Sequence, residues 1–509
     1  MSSSDYDYFE GSLVADASLH PPIHGEGPDD GAPMPGSILL DFKAYIDQRR
    51  NATSAHSKTR DGHSIHVTFW PAHPPRVSYF SVCCPDLEPG DFAEEPVIVA
   101  AEDDLVLLRL FLGPRSATAE RDRVDYFIYK AGGGMPSLEL LKHPGPSRIF
   151  DDRHVGLLRC RSPTSDDSHS KPILRPHGSK DDGFYIVAAL CYGPMVPGYY
   201  DLHTYDSRTK DWATKTALMR QEQVRGHHSS HCNSKVIVVG GRAGTMGWVD
   251  LWRGILFCDV LLQDQPLGLR FVALPAPIKP DRKLKGCPRI ARDIAVIKGC
   301  IKYVELQTHV RPGSAVDGNF IADDWTAATW SRKATTKSLE KGSWQPGCKV
   351  RASQISAKKN PVQFESLPKL LDDQGTPQRT LERLHTAHPT LSLHEDNVVY
   401  LMTKIHYLKD TKAWVLAIDA RKKTLQGVAE FDARITFGMS FTCMCSSISE
   451  HLHLAPATKG HLKRSGMPMR QSSLKKLAGI ALMDLPARDG EQKHQDTAEG
   501  SSVGALDGV

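Results

Sequence analysis

The densest group of possible metal ligands is the segment RGHHSSHC at 225–232, which contains His227, His228, His231 and Cys232. A tetrahedral zinc site would need two ligands from this segment and two from elsewhere, and no second cluster has a suitable spacing. A polar loop before the apolar run at 235–241 explains the same residues. We therefore expect a loop here and predict neither a bound metal nor a cofactor.

Two other polar segments could support catalysis. KAGGGMPS at 130–137 has three consecutive glycines but lacks the Gly-Lys-Ser/Thr ending of a phosphate-binding loop. HEDN at 394–397 places His394, Glu395 and Asp396 side by side, but neighbours on an extended chain point to opposite faces. We predict a turn in both segments and name no catalytic residue.

Tryptophan and arginine meet in GWVDLWRGILFCDVL at 247–261. We interpret this stretch as two strands joined by a turn at Arg253-Gly254, with the glycine supplying a positive φ. Trp252 and Arg253 lie at the turn and are candidate residues of an interaction surface, because tryptophan and arginine are enriched at binding hot spots. The other tryptophans in strands are expected to pack between sheets; they are Trp248, Trp325, Trp330 and Trp344.

The two ends of the chain differ in charge. No Lys or Arg precedes Lys43, and residues 1–36 are rich in Gly, Pro, Ser and acids, which predicts a disordered acidic arm. Residues 451–509 are expected to form a basic and then acidic tail, mostly disordered. Its cations are either solvated or contact an acidic partner or a nuclear import receptor. We name five of them as a candidate interaction surface: Lys463, Arg464, Arg470, Lys475 and Lys476.

Composition excludes some classes of protein. The 509 residues carry a net charge of only +4, so no global excess of positive charge favours nucleic acid as a partner. No apolar run approaches the ~20 residues of a membrane span. No secretory signal is evident, so we expect a cytoplasmic or nuclear protein with its eleven cysteines reduced.

Short β-branched and aromatic runs dominate the middle of the chain, and helical spacing is rare. Several runs end in an apolar residue plus Asp and continue through a polar turn into another strand, as at 199–218, 247–273 and 413–431. Less regular copies lie at 125–144 and 327–344. One such unit cannot bury both of its faces, whereas sheets stacked around an axis can.

The fold class predicted from this repeat is all-β, an irregular propeller-like ring of about six blades in residues 60–450. Strands from the N-terminal part, around SIHVTFW and RVSYFSVCC, would help to close the last blade. A seven-bladed ring and two packed β-domains remain alternatives. We expect a short helix and linker at 37–59.

The motifs from GWVDLWRGILFCDVL to HPTLSLHEDNVVYLMTK resemble the plant family defined by the domain of unknown function numbered 1618, which is expanded in cereal grasses. The resemblance covers roughly 75–445. The family is similar in strand pattern to kelch-like domains associated with F-box proteins, and VVGG at 238–241 resembles the double glycine of kelch blades. The resemblance implies a β-rich interaction domain and no catalytic residues.

The function we predict is a non-enzymatic scaffold that uses blade loops to bind a protein partner, with neither a membrane nor nucleic acid as its target. One alternative is a hydrolase- or lyase-type enzyme with its site in the central channel. Another is a substrate receptor that an adaptor recruits to a ubiquitin ligase, although the first 60 residues show no F-box pattern.

Overall fold

A computed structural model of the protein describes residues 14, 16–22, 34–113, 123–132, 135–145, 150–161, 183–193, 198–219, 231–279, 286–314, 320–371, 374–406, 412–432 and 443–452. All of them belong to the first of two units into which the chain divides, Met1–Ala455. The second unit, Pro456–Val509, lies outside the described residues, and so does most of the predicted tail.

The described part of the chain is all-β, as the sequence predicts. Its first strands are β1 (Ile38–Asp41), β2 (Tyr45–Ile46), β3 (Ala55–Lys58), β4 (Ser64–Trp70) and β5 (Val77–Cys83). The next stretches fold into four-stranded antiparallel meanders, numbered here in chain order. Sheet 1 contains β6 (Val97–Glu102), β7 (Leu105–Phe111), β8 (Val124–Lys130) and β9 (Ser137–Leu140).

Sheets 2 to 5 repeat this arrangement. Sheet 2 contains β10 (Val155–Cys160), β11 (Phe184–Tyr192), β12 (Tyr199–Asp206) and β13 (Asp211–Met219). Sheet 3 contains β14 (Lys235–Gly240), β15 (Thr245–Asp250), β16 (Gly254–Asp259) and β17 (Leu267–Ala273). Sheet 4 contains β18 (Arg292–Ile297), β19 (Cys300–Val310), β20 (Ala322–Lys333) and β21 (Gln345–Arg351). After a small ladder of β22 (Leu370–Leu371) and β23 (Pro377–Gln378), sheet 5 contains β24 (His385–Leu391), β25 (Val398–Lys404), β26 (Lys412–Asp419) and β27 (Thr424–Asp432).

Helices are short among the described residues. Helix α1 (Thr336–Lys341) replaces the simple turn expected in the copy at 327–344, and helix α2 (Pro361–Glu365) follows sheet 4. The side chain of Thr335 caps α1 by accepting a hydrogen bond from the backbone N–H of Ser338.

The two ends of the folded unit meet in one sheet, which we call the closing sheet. Its order is β28-β1-β5-β4-β3, where β28 is Cys443–Ser446, and β2 pairs with β5. Strand β1 pairs antiparallel with β28, with Ile38 opposite Ser446 and Asp41 opposite Cys443. The predicted strands at SIHVTFW and RVSYFSVCC are β4 and β5 of this sheet, and β1, which was not predicted as a strand, joins them to β28.

The helix predicted within 37–59 was wrong, because this segment forms β1, β2 and β3. All four residues of β1 are buried, since the strand lies between β28 and β5 and is covered on both faces. A central strand of this kind needs no alternation of apolar and polar residues. Its continuous apolar run is therefore easily mistaken for the start of a helix.

Part of the predicted disordered arm at 1–36 is also folded. Asp16–Leu19 forms a 3-10 turn, and the fully buried Ser18 hydroxyl donates to Glu95 Oε1 over 3.0 Å. Tyr79 Oη donates to the carbonyl oxygen of Pro22 over 2.6 Å. The prediction of disorder was wrong for these residues, whereas 1–13, 15 and 23–33 lie outside the described part of the chain.

Each sheet buries both faces against its two neighbours. Strand β16 shows the rule: Ile255 and Phe257 pack towards sheet 4, and the alternate residues Leu256 and Cys258 pack towards sheet 2. Similar apolar clusters fill the other seams, from sheets 1 and 2 round to sheet 5 and the closing sheet, and back to sheet 1. Period-two side-chain geometry thus explains why these strands are apolar throughout.

The first strands of the sheets also contact one another in chain order. Strand β6 contacts β10, which contacts β14, and the series continues through β18 and β24 to β28. A bridge between Lys43 and Val97 returns the series from the closing sheet to β6. Each of the six first strands therefore contacts the next in a closed series.

Sheets 2 and 3 are further joined at their outer edges. Strand β13 pairs in parallel with β17, with Ala217 opposite Leu267 and Met219 opposite Leu269. The two meanders therefore form one continuous eight-stranded sheet.

The β15–β16 hairpin has the predicted strands but uses its glycine differently. The turn is Leu251-Trp252-Arg253, and Asp250 pairs with Gly254. Gly254 has no positive φ. A Cβ atom there would lie 2.3 Å from Cζ of Phe271 and 2.5 Å from the carbonyl oxygen of Val272. Close approach of β17, rather than turn conformation, requires the glycine.

We expect Gly254→Ala to lower the free energy of unfolding by about 1–3 kcal/mol, because overpacking a tight site displaces its neighbours. Gly268→Ala is the matched control on the adjacent strand, where a Cβ meets nothing within 4 Å. It should change stability by less than ~0.5 kcal/mol. Urea unfolding of the two variants measures the difference, and equal midpoints would contradict the packing argument.

Candidate functional site

A cavity of about 360 Å³ lies where the first strands of the sheets meet. Its wall takes residues from all six of these strands, β6, β10, β14, β18, β24 and β28. Much of the wall is apolar and includes Val99, Val236 and Ile294. Pockets of ~300–1,000 Å³ with a few polar groups are typical of small-molecule sites.

Asp293, at the start of β18, connects three sheets at the edge of this cavity. Its Oδ1 accepts a hydrogen bond from Lys235 Nζ on β14 over 2.8 Å. Its Oδ2 accepts one from the backbone N–H of Leu391 on β24 over 3.0 Å. Both carboxylate oxygens are therefore used within the protein.

Other cations near the start of the first strands also have carboxylate partners. Arg109 pairs with Glu94 and donates from Nε to Asp152 Oδ2 over 3.1 Å. Arg153 donates from Nε to Asp151 Oδ1 over 2.8 Å, and this hydrogen bond lowers the pKa of Asp151 to about 2. Burial raises the pKa of Asp152 against the opposing charge of Arg109.

Arg289 differs from these cations. It lies in the 3-10 turn Pro288–Ile290 just before β18 and lines the cavity. Its Nη2 donates to the carbonyl oxygen of Ser234, and its guanidinium carbon lies 5.0 Å from the centre of the Phe42 ring. Its Nε is buried and has no hydrogen-bond partner. Burial lowers the pKa of Arg289, as expected for a cation removed from water.

We call the residues Asp152, Lys235, Arg289 and Asp293 the charged end of the cavity. The opposite end is marked by Glu102, the last residue of β6. Arg159, near the end of β10, pairs with Asp104 just beyond β6 over 3.0 Å, so both strands end on the same side. Asp152, which precedes β10, therefore lies at the other side from Glu102.

Two carboxyl groups are held in unusual protonation states by burial. Desolvation raises the pKa of Glu102, which lines the cavity, to about 8, and the charge of Asp103 adds to the effect. Desolvation also raises the pKa of Asp41 to about 7, although Lys43 opposes it. At neutral pH Glu102 therefore keeps its proton and can donate a hydrogen bond.

His388 is one of two non-glycine residues of the described cavity wall with a positive φ; the other is Lys298. The φ of His388 is +49°, and this residue lies in the bulge between Ala387 and Thr390 on β24. Non-glycine residues in this conformation are uncommon and often occur at functional sites. Its side chain is buried against the cavity.

The cavity also contains Cys443 and Cys445 of β28. Burial raises the pKa of Cys443 well above its usual value and that of Cys445 to about 12. Both thiols are protonated at neutral pH, and the thiol form is a weak nucleophile.

The two predicted site residues that the structure describes, Trp252 and Arg253, do not line this cavity. Trp252 is half-buried, donates from Nε1 to the carbonyl oxygen of Gly286 over 3.3 Å, and stacks 4.8 Å from the guanidinium carbon of Arg292. Arg253 is half-exposed and pairs with Asp250 over 3.2 Å. The five basic residues of the tail lie outside the described residues: Lys463, Arg464, Arg470, Lys475 and Lys476.

The other tryptophans pack between sheets, as predicted. Trp248 donates to the carbonyl oxygen of His154 over 2.7 Å, and Trp325 to that of Leu381 over 3.1 Å. Trp344 donates to the carbonyl oxygen of Ala273 over 2.8 Å, and Trp330 lies in the cluster between sheets 3 and 4. The indole N–H groups of Trp248, Trp325 and Trp344 thus find partners where their rings are packed.

The histidine-rich segment is structural where it is described. His231 Nε2 lies 3.0 Å from the carbonyl oxygen of Trp248, and burial lowers the pKa of His231 to about 4. His227 and His228 lie outside the described residues. Within the described ranges, no group of three or more His, Cys, Asp or Glu residues could hold a metal ion.

The two segments considered for catalysis have structural roles where they are described. HEDN forms the turn between β24 and β25, and Asp396 pairs with Lys302 over 3.3 Å. Lys130 ends β8, whereas Gly133 and Gly134 lie outside the described residues. No helix in the described part of the chain is long and apolar enough to cross a membrane.

Sequence reasoning missed Arg289, Lys235, Glu102 and His388. A usable signal was present: in KVIVVGG and RDIAVI, charged residues directly precede an apolar run that forms a first strand. Placing those residues together required knowing that the runs occupy equivalent positions around one centre.

Comparison with known proteins gives one match in sequence. Residues 248–400 match the model of the family described as Protein of unknown function (DUF1618), which supports part of the expected resemblance. No curated protein matches the chain.

Solved structures show only distant likeness. A hydrazine synthase of Kuenenia stuttgartiensis is 10% identical, with a TM-score of 0.28 over 77% of this chain and 80% of that one. The WD40 domain of SCAP from fission yeast is 11% identical, with a TM-score of 0.26 over 78% of this chain and 85% of that one. Neither likeness is close enough to support an argument.

We expect Glu102→Gln to stabilise the protein at pH 8 and to change little at pH 5. The folded pKa of about 8 lies above the usual glutamate value of 4.5, so the folded state binds more protons between these two pH values. Stability from the retained proton is present at low pH and is lost as the pH rises towards 8. The gain at pH 8 should be on the order of 2 kcal/mol, because one pKa unit corresponds to about 1.4 kcal/mol and partial exposure reduces the effect.

Urea unfolding at both pH values measures this effect. Glu365→Gln, on the surface helix α2, is the control and should show no such pH dependence. An equal loss of stability for Glu102→Gln at both pH values would contradict the buried, protonated state.

Proposed function

We propose that the six sheets are the blades of a six-bladed propeller and that the protein is a non-enzymatic binding module. In this proposal its ligand occupies the central cavity and enters at the charged end. We also infer that the resemblance to the DUF1618 family extends beyond the matched 248–400 to about 75–445.

Three features support the propeller. Apolar clusters fill each seam between neighbouring sheets, the first strands contact one another in a cycle, and the closing sheet combines both ends of the folded unit. Radial stacking is the arrangement that hides both faces of many small sheets. All-β structure alone would not require any of these features.

The single observation that supports a binding function best is the cavity itself. It has a small-molecule size, takes its wall from all six sheets, and is lined by Arg289, a half-buried cation with no carboxylate within 4.0 Å among the described residues. Apart from Arg289, the lysine and arginine side chains of its wall have carboxylate partners, and its two thiols are protonated, which favours binding over nucleophilic catalysis in this proposal.

To test this, Val238→Trp would fill part of the cavity, because Val238 is a partly exposed residue of its wall. Val362→Trp is the matched control, at a side chain that is 69% exposed on α2. We expect a thermal-shift screen of small metabolites to give hits with the unmodified protein and Val362→Trp that Val238→Trp loses.

Val296→Phe, at another partly exposed wall position, serves as the second variant if Val238→Trp fails to fold. Hits that persist in the filled variants, or a screen without hits, would overturn the proposal. Chemical conversion of a hit would replace it with an enzymatic function.

A protein-binding scaffold is the second candidate, favoured by one exposed apolar pair. Val310 and Ile321 are 40% and 39% exposed and lie together at the end of the long β19–β20 hairpin, where the N–H of Arg311 donates to the Ile321 carbonyl over 2.9 Å. Adjacent exposed apolar side chains are typical of contact surfaces.

Proximity labelling in cells, where we infer a cytoplasmic or nuclear location, tests the scaffold. We expect a specific set of labelled proteins that Val310→Glu with Ile321→Glu loses and Val362→Glu keeps. Loss of the set from a chain ending at Ala455 would instead assign the contact to the basic tail.

A further inference from the structure

We propose that the central cavity binds a small organic molecule with a single carboxylate, which pairs with Arg289, and with an apolar body that extends along the first strands. This inference rests on the proposed binding function and specifies the class of ligand.

Arg289 is fixed in position by three parts of the ring. It precedes β18 of sheet 4, donates to Ser234 just before β14 of sheet 3, and stacks on Phe42, which follows β1 of the closing sheet. A guanidinium held in this way keeps its orientation without a ligand, so binding would require little further ordering.

Among the described residues, no carboxylate lies within 4.0 Å of Arg289. The nearby acids are already committed: Asp293 to Lys235 and Leu391, and Asp151 to Arg153. The buried Nε of Arg289 has no hydrogen-bond partner. The charge of Arg289 is therefore not neutralised within this part of the chain.

Partial burial of a cation that has no counter-ion carries a desolvation cost, and an anion supplied from outside would offset it. A planar guanidinium offers parallel N–H groups that match the two oxygens of a carboxylate. Lys235 could not replace it, because its ammonium group is already bound to Asp293.

The rest of the cavity defines the remainder of the ligand. Val99, Val236 and Ile294 supply an apolar wall, and the volume of about 360 Å³ accommodates a small molecule. At the far end Glu102 is protonated at neutral pH and can donate to an acceptor on the ligand. A second negative charge at that end would instead meet Asp103 nearby.

Isothermal titration calorimetry at pH 7 with benzoate, hexanoate and the matching amides, benzamide and hexanamide, tests the ligand class. We expect each acid to bind about tenfold or more tightly than its amide, because hydrogen bonds between charged groups are stronger than neutral ones. Phenyl phosphate, which carries a second charge, should bind more weakly than benzoate. A preference for phenyl phosphate would overturn the carboxylate assignment.

Arg289→Met should abolish the preference for acid over amide, and Arg289→Lys should reduce it, since lysine keeps the charge but loses the paired N–H groups. Arg421→Met, at an exposed arginine outside the cavity, is the control and should retain the full preference.

Unfolding of the unliganded protein separates a binding role from a structural one. Arg289→Met removes the hydrogen bond to Ser234 and the contact with Phe42 together with the charge, so a binding role is shown by loss of the acid preference, and a purely structural role by a lower midpoint of thermal unfolding with the preference kept. A clear fall in the midpoint together with retained acid preference would overturn the inference.

The two proposals fail differently. Amides that bind as tightly as acids, with binding lost in Val238→Trp, would overturn the carboxylate assignment and leave the cavity as a binding site. If neither acids nor amides bind and the metabolite screen also gives no hits, the binding function itself is overturned.

Discussion

The carboxylate of Asp293 is the constraint on which the centre of the molecule depends. It ties Lys235 of sheet 3 and the backbone of Leu391 in sheet 5 to its own strand in sheet 4. Apolar seams are non-directional and allow neighbouring sheets to slide, whereas hydrogen bonds of fixed length set the height of one first strand against the next. The cavity keeps its shape because the first strands of sheets 3, 4 and 5 share this one carboxylate.

That arrangement explains the unequal chemistry of the cations around the cavity. Those bound to carboxylates, such as Lys235 and Arg109, hold the sheets in register and have little capacity left for a ligand. Arg289 is positioned by a carbonyl oxygen and an aromatic ring, neither of which cancels its charge. A cation that is held in a fixed position while its charge stays unneutralised has the properties expected of a preorganised binding group.

The sequence predicted most of the β-structure because strand signals are local. The alternation in β12 and β26 and the Asp residues that end them could be read from neighbouring residues alone. The errors came from non-local context: β1 was taken for a helix because its apolar run is covered by strands distant in sequence. The role of Gly254 was misassigned for the same reason, since the obstacle to a side chain is the backbone of another strand.

The candidate site could not be predicted in the same way. Glu102, Arg289 and His388 are far apart in sequence. They line one cavity only because of the order in which the sheets pack. Unusual protonation of Glu102 depends on burial, which a single sequence does not report. Trp252 attracted attention by residue type, yet its ring is engaged in covering Arg292.

The parallel pairing of β13 with β17 affects which part of the folded unit opens first. Sheets 2 and 3 are joined by backbone hydrogen bonds between β13 and β17 as well as by the apolar cluster that they share. The seam between sheet 5 and the closing sheet depends on a smaller cluster of side chains. Transient opening should therefore begin near the closing sheet, and amide protons of β13 and β17 should be among the last to exchange with solvent.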